Sequence, residues 1–339
     1  MKILTADIGT GTQDIFLYDA RLDLENGLRL ILPSPTMRVN RLIKEATRLG
    51  QPVCLTGVTM GGGPSHWAAE DHLRAGFSLY ATPDAARSFN DDLDFIREMG
   101  IVLISDEEAA ALPEAVRRFE LKDFDFQSIA GVFSSFGIPM HDLACVGVAV
   151  FDHGAAPPDE SDRKFRFDYI DDRIRQENSL SAFAFPAAEV PEIMTRLQAV
   201  VASTGDLNAP LVVMDTAPAA VLGARQEAQV AARDRVLIAN VGNFHTLAFR
   251  LGPGGVEGVF EHHTGLLDQR KLGRLLTSLA DSTLTREEVF DDSGHGALVY
   301  DPNPLELDGP DWGVAITGPR RAMMQGSPLR PHFPAPFGD

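Results

Sequence analysis

Cysteine is nearly absent: Cys54 and Cys145 are the two in 339 residues, each inside an apolar run. They form no CxxC pair, which excludes a zinc ribbon or a cysteine-ligated iron–sulfur cluster within one chain. They read as two buried thiols of a reducing compartment. Basic residues are also short, 30 Lys and Arg against 48 Asp and Glu, for a formal net charge of −18. Nucleic-acid binding rests on clustered Lys and Arg, so that class is disfavoured. A small anionic ligand is not, because backbone N–H groups bind phosphate without any lysine. No apolar run approaches the ~20 residues of a membrane span, and the N-terminus lacks the basic and apolar regions of a signal peptide. The expectation is a cytoplasmic protein with neither nucleic acid nor membrane as partner.

What is present is globular: 44% hydrophobic and 23% charged residues rule out wholesale disorder. The length fits about two domains at roughly 100–200 residues each. The opening reads strand Lys2–Ala6, a Gly/Thr-rich turn over Asp7–Asp14, strand Ile15–Tyr18 and strand Leu28–Leu32. Helical spacing over Met37–Leu49, His66–Ala75 and Ala85–Met99 alternates with strands Pro52–Val58, Phe77–Ala81 and Ile101–Ile104. That alternation argues an α/β domain with a largely parallel sheet. A second α/β unit begins near Leu211, with strands LVVMD, Arg235–Asn240 and Leu247–Leu251, helix Leu266–Leu279 and a last strand Val314–Thr317. Asp159–Arg175, rich in Asp and Arg, reads as a solvated face. We expect a first domain over 1–170, a second over 171–326, and an extended Pro-rich tail over 327–339.

Twice the chain runs strand, acidic or amide residue, glycine turn with hydroxyls, strand: ILTADIGTGTQDIFLYD and VLIANVGNFHTLAFRL. A glycine-rich hairpin aims successive N–H groups and hydroxyls at one point, which suits a phosphate. Two such hairpins facing each other would clamp a polyphosphate. Asp7, at the strand end, would sit where a hydrated Mg²⁺ needs a carboxylate. The first turn alone also resembles the turn that holds S-adenosylmethionine in methyltransferases. That fold needs a helix directly after the turn, and Gln13–Asp19 is strand-like.

With both turns in view, the sequence resembles the actin, sugar kinase and heat-shock-70 ATPase superfamily. The first turn is similar to its phosphate-1 motif and the second to its phosphate-2 motif, with Asn240 where that motif usually carries Asp. MDTAPAAVLGA (Met214–Ala224) is similar to its connecting helix, and GVAITGPRRAM (Gly313–Met323) to its adenosine motif. The resemblance implies two ribonuclease-H-like α/β domains closing over Mg-ATP. It implies nucleotide contacts from Gly9, Thr10, Gly11, Thr12 and Gln13, from Gly242, Asn243, His245 and Thr246, and from Thr317, Gly318 and Arg320. Asp7 would organise Mg²⁺, and Asp152 or Asp215 would orient the attacking oxygen. Within the superfamily the G-N-x-H-T, D-H-G and T-G-P-R-R segments are most similar to a family some of whose members are labelled pyruvate formate-lyase activating enzyme-like. Activators of that kind need three closely spaced cysteines, and two cysteines 91 positions apart cannot supply them.

Several polar groups keep two readings. Asp152, in Asp152-His153-Gly154 at a strand end, is a base or metal ligand, or the acceptor of an Asp–Gly turn. Asp215 is catalytic or a helix N-cap. Glu261-His262-His263, with His153 and His245, could form a transition-metal site or belong to the packed interior. Gly61–Pro64 with His66 is a substrate loop or a tight strand–helix connection. Arg320 and Arg321 stack on the base or are surface cations.

The function expected is an Mg-ATP-dependent phosphotransferase, or an ATP-hydrolysing activator, acting on a small molecule. The alternatives are an ATP-switched interaction protein with a protein partner and an ATP-dependent amide or lactam hydrolase of the oxoprolinase kind. The substrate is not legible, because its pocket lies in loops that vary on one fold.

Overall fold

The first strand, Lys2–Ile8, buries Leu4, Ala6 and Ile8 at alternate positions, the period of a pleated strand. In the computed structural model, which describes residues 1–157, 160–205, 207–307 and 311–334, it pairs antiparallel with Thr12–Asp19. Thr12–Asp19 pairs in turn with Leu28–Pro33. On its other edge Lys2–Ile8 runs parallel to Leu143–Val150, and Leu211–Asp215 and Ala184–Pro186 complete a six-stranded sheet. Ser34 ends the third strand and caps the helix Pro35–Arg48, which has proline at its first position. That helix buries Val39, Ile43 and Ala46 at helical spacing.

A small, wholly parallel sheet follows, in the order Val102–Leu103, Leu79–Ala81, Val53–Gly57, Arg117–Leu121. Its core is Val53, Leu55, Leu79, Ala81, Ile96 and Leu121, all fully buried. The helix expected over Ala85–Met99 is two short ones, Pro83–Ala86 and Leu93–Glu98. Between them Asn90 Oδ1 accepts from the Asp92 N–H and Asp92 Oδ1 from the Asp94 N–H, both at 2.8 Å. Side chains that compete for backbone N–H groups in this way restart a helix rather than continue it.

The chain divides into two compact units, 1–158 with 185–213 and 159–184 with 214–339. Residue 170, the expected end of the first domain, lies within the helix Asp162–Gln176 of the second unit. The second unit repeats the plan of the first. Val236–Val241, His245–Gly252, Gly255–His263 and Gly296–Val299 pair antiparallel in succession, and Val314–Thr317 runs parallel to Val236–Val241 on its other edge. Helix Gln269–Ala280 packs Leu272, Leu275, Leu276 and Leu279 over Leu237, Ala239, Val241 and Phe260, with each buried leucine contributing roughly 1.5–3 kcal/mol. In the expected tail, Pro331–His332 adds a parallel edge strand beside Val314 and Ala315; residues 335–339 lie outside the described residues. Among the described residues no helix is long and apolar enough to cross a membrane.

Candidate functional site

Strand register gives the two glycine turns the same length. In the first, Ile8 faces Gln13 across the hairpin, so Gly9–Thr12 is a four-residue loop, closed by the Gly9 N–H donating to the Thr12 carbonyl at 3.0 Å. In the second, Val241 faces Thr246, and the Gly242 N–H donates to the His245 carbonyl at 2.9 Å. The third strand of each hairpin is also in the same register, with Thr12 facing Pro33 and His245 facing His263. Asp7 is thereby equivalent to Asn240, Thr12 to His245, Gln13 to Thr246, and Pro33 to His263.

The loop carbonyls are turned inward. Ser34 donates through Oγ to the Thr10 carbonyl at 2.5 Å and through N–H to the Gly11 carbonyl at 3.2 Å. Thr264, in the place equivalent to Ser34, donates its N–H to the Phe244 carbonyl at 2.7 Å. A trans peptide points its carbonyl and the following N–H in opposite directions. The N–H groups of Gly11 and Thr12, and of His245, therefore point away from Ser34 and Thr264, as an anion-binding nest requires. A side chain at Gly242 would bring a Cβ within 2.7 Å of the His245 carbonyl oxygen, so the second loop closes this tightly around glycine alone.

The side chains of these loops have protein partners. Thr12 Oγ1 donates to Asp14 at 3.1 Å, Gln13 Nε2 to the Pro33 carbonyl at 3.1 Å, and the Thr246 and Thr264 hydroxyls bond at 2.9 Å. Asp14 faces Asp7 directly across the hairpin, so the two carboxylates share one face of the sheet. Opposed like charges are destabilising. Hairpin arithmetic from a four-residue loop would have found Asp14; the sequence reading stopped at Asp7. A cavity of about 220 Å³ in the first unit is lined by Gln13, Arg38, Arg118, Lys122 and Asp125, among others.

Thr317 pairs with Asn240 in the parallel register, and Gly318 follows with φ +97°. A Cβ there would stand 2.5 Å from the Val241 carbonyl oxygen. Gly318→Ala should therefore destabilise the protein by about 2 kcal/mol or more, from left-handed strain and the clash together. A urea midpoint equal to wild type would contradict this. Asn243 and Arg320 are exposed, and the Arg320 N–H donates to the Val241 carbonyl at 2.9 Å.

The two other candidate carboxylates are deeply engaged. Asp152 accepts the Gly154 N–H on Oδ1 and the Leu197 N–H on Oδ2, each at 2.9 Å. Asp215 Oδ1 accepts the Ala217 N–H at 3.0 Å, capping the helix Thr216–Ala224, while Oδ2 takes Arg166 Nη1 at 2.7 Å. The loop at Gly61–Pro64 is held by the Gly61 N–H on Asp123 Oδ1 at 3.2 Å and by Ser65 Oγ on the Gly62 carbonyl at 2.9 Å.

Strand alternation splits Glu261-His262-His263. Glu261 and His263 share one face, and His262 lies on the other, its Nε2 3.5 Å from Asp292. Glu261 is fully buried. Its Oε2 accepts Arg166 Nε at 2.6 Å, and its Oε1 lies 2.9 Å from His245 Nδ1 and 3.6 Å from His295 Nε2. Arg166 thus bridges Asp215 and Glu261. Burial alone would raise the Glu261 pKa; the Arg166 cation, with His295 and His245 nearby, overrides it and holds the carboxyl well below its usual range. Burial pushes His295 down to about 3 and lowers His263 as well. Ring centroids of His245, His263 and His295 stand 5.0, 5.0 and 4.8 Å apart pairwise. The sequence reading missed Arg166 and His295.

Residues 60–323 match the family described as "Putative pyruvate format-lyase activating enzyme (DUF1786)", and the chain belongs to that family. No curated protein matches. Among solved structures, one described as the crystal structure of an exopolyphosphatase-like protein is similar at 12% identity and a TM-score of 0.26, over 86% of this chain and 61% of that one. The chain thus spans about three fifths of that protein's length, and a likeness at this TM-score carries no argument.

Proposed function

We propose that this protein is an Mg-ATP-dependent enzyme of the actin-like ATPase type, built from two ribonuclease-H-like units, that transfers or hydrolyses the γ-phosphoryl group on behalf of a small-molecule substrate. The observation that carries the reading is the repetition, once per unit, of a four-residue glycine hairpin with inward carbonyls and outward N–H groups. A single such loop is a common turn. Two in equivalent register, each followed by a Ser or Thr that pins the loop, are a duplicated anion-binding device.

The residues fit the group. Asp7 and Asp14 offer a hard oxygen donor pair of the kind hydrated Mg²⁺ takes, and Gly9–Thr12 and Gly242–His245 supply N–H donors for phosphate oxygens. Thr317, Gly318 and Arg320 adjoin the second loop, where an adenosine would be held. Bound Mg-ATP would supply the transferable phosphoryl group; the chain's own part is positioning and charge neutralisation. Asp152 and Asp215 act in this reading as positioning residues, since their oxygens are committed to backbone N–H groups and to Arg166. The family's description names a different chemistry. A three-thiolate iron–sulfur cluster in one chain is beyond a sequence with two cysteines.

Millimolar Mg-ATP should raise the melting temperature by several degrees, because a ligand bound only to the native state adds about 2.7 kcal/mol at 100-fold over its dissociation constant. The reading fails if ATP, ADP and GTP with Mg²⁺ all leave the transition unmoved. ATP turnover that rises with a small-metabolite pool supports phosphotransfer or amide hydrolysis; slow turnover that responds to added protein supports a switch.

A further inference from the structure

We propose that the cavity in the first unit binds a small apolar amino acid as its zwitterion, and that this is the substrate class of the enzyme; the substrate role rests on the reading above, whereas binding itself needs no nucleotide. The cavity is lined from the helix Pro35–Arg48, the strand Arg117–Leu121 and the helix Phe126–Ser135. Its apolar wall is Leu32, Val39, Leu42, Phe119, Ile129 and Val132. Its volume of about 220 Å³ is the space of about seven waters of the liquid. That suits a small metabolite and falls short of the roughly 300–1,000 Å³ of a drug-sized pocket.

Three charges meet at the polar end. Asp125 Oδ1 stands 3.7 Å from Lys122 Nζ, and Asp125 Oδ2 stands 3.9 Å from Arg38 Nη1. Both separations are longer than a hydrogen bond, so the cations are drawn to Asp125 without being bonded to it. Asp125 itself is fixed as the cap of the helix Phe126–Ser135, accepting the Ser128 N–H at 3.2 Å and the Ser128 hydroxyl at 2.7 Å. Burial alone would raise its pKa; Ser128, Lys122 and Arg38 override it and hold the carboxyl below its usual range. The other charges of the lining have partners of their own. Arg118 Nε donates to the Ala109 carbonyl at 3.2 Å, Asp123 pairs with Arg196 at 2.6 Å, and Glu120 with Lys122 at 3.1 Å.

This pattern selects the ligand. A carboxylate flanked by two cations matches an ammonium and a carboxylate carried on one carbon atom, the ammonium on Asp125 and the carboxylate between Lys122 and Arg38. A purely anionic ligand would bring its charge beside Asp125 and Glu120, and a purely cationic one beside Arg38 and Lys122, each at a Coulombic cost that the zwitterion avoids. The apolar wall then takes the side chain of the amino acid, as hydrophobic pockets with a few placed polar groups do. Gln13 also lines the cavity and is the first residue after the loop Gly9–Thr12, so the occupant adjoins the first glycine turn within one unit.

The test uses the full chain without nucleotide, titrated calorimetrically with L-leucine and with two analogues that each lack one charge, isocaproate and isoamylamine. L-leucine should bind at one site per chain, and each analogue at least about tenfold more weakly, the scale of one lost charge-assisted hydrogen bond. Asp125→Asn keeps a helix-capping side chain and should weaken L-leucine at least about tenfold while leaving isocaproate as tight or tighter. Arg38→Gln, at an exposed position, should weaken L-leucine and isocaproate alike. The proposal is overturned if neither L-leucine nor L-methionine binds at millimolar concentration, if either analogue binds as tightly as L-leucine, or if both folded variants bind L-leucine as wild type does. Mg-ATP stabilisation is a separate measurement: a chain stabilised by Mg-ATP but indifferent to both amino acids loses this proposal and keeps the nucleotide reading. L-leucine that binds without raising ATP turnover overturns the substrate role.

Discussion

Asp7→Asn should yield a folded protein whose ATP turnover falls by roughly 10²-fold or more, the scale of one lost electrostatic stabiliser. Asp7 is the penultimate residue of the first strand, is half-buried, and faces Asp14 directly across the hairpin. Asparagine keeps the shape and one acceptor oxygen, so a residue that only caps the turn would lose at most about 1 kcal/mol and no turnover. Nucleotide binding should persist, because the outward N–H groups of Gly11 and Thr12 belong to the backbone. A second readout separates charge from shape. Without a divalent cation the two carboxylates repel, so the variant should melt at or above wild type; with Mg²⁺ the order should reverse. Unchanged turnover in a folded Asp7→Asn protein would assign Asp7 to the turn alone.

Arg166→Met should be the most destabilising of the single changes considered, at about 3–5 kcal/mol. The guanidinium is 3% exposed and joins Asp215 to Glu261. Methionine keeps much of the volume and strands two carboxylates in the interior. In the wild type, Glu261 has a depressed pKa, so its contribution to stability is present above its unfolded pKa and is lost as pH falls through its folded value. Without Arg166, burial pushes the Glu261 pKa the other way. Its contribution is then present below the unfolded pKa and lost as pH rises through the raised value. The gap between variant and wild type should therefore narrow from pH 7 to pH 5. Urea unfolding at both pH values measures this, and an equal gap at both would trace the loss to packing rather than stranded charge.

The glycine hairpins and most flanking strands were legible because glycine, hydroxyl and alternating apolar residues are local signals. What the sequence reading could not see is register. Both loops have four residues, which puts His245 rather than Thr246 in the place of Thr12. Arg166 escaped because Asp159–Arg175 reads as a charged, solvated stretch. A stripe at four-residue spacing was nonetheless there, since Arg166, Ile170 and Ile174 are all buried along the helix Asp162–Gln176. His295 carried no signal of its own; it joins the cluster only through backbone pairing with Glu261. The helix drawn over Ala85–Met99 failed for a local reason, the capping side chains of Asn90 and Asp92.

The path of the chain between the units bears on its synthesis. The first unit takes residues 1–158 and then 185–213, with 159–184 given to the second. When synthesis has reached residue 158, the first sheet still lacks Leu211–Asp215 and Ala184–Pro186. The exposed edge of Leu143–Val150 must wait for some fifty more residues, and it is a nascent-chain liability of the kind chaperones shield. The first sheet cannot be completed before residue 215 has been made, and a cut after residue 158 isolates an incomplete sheet.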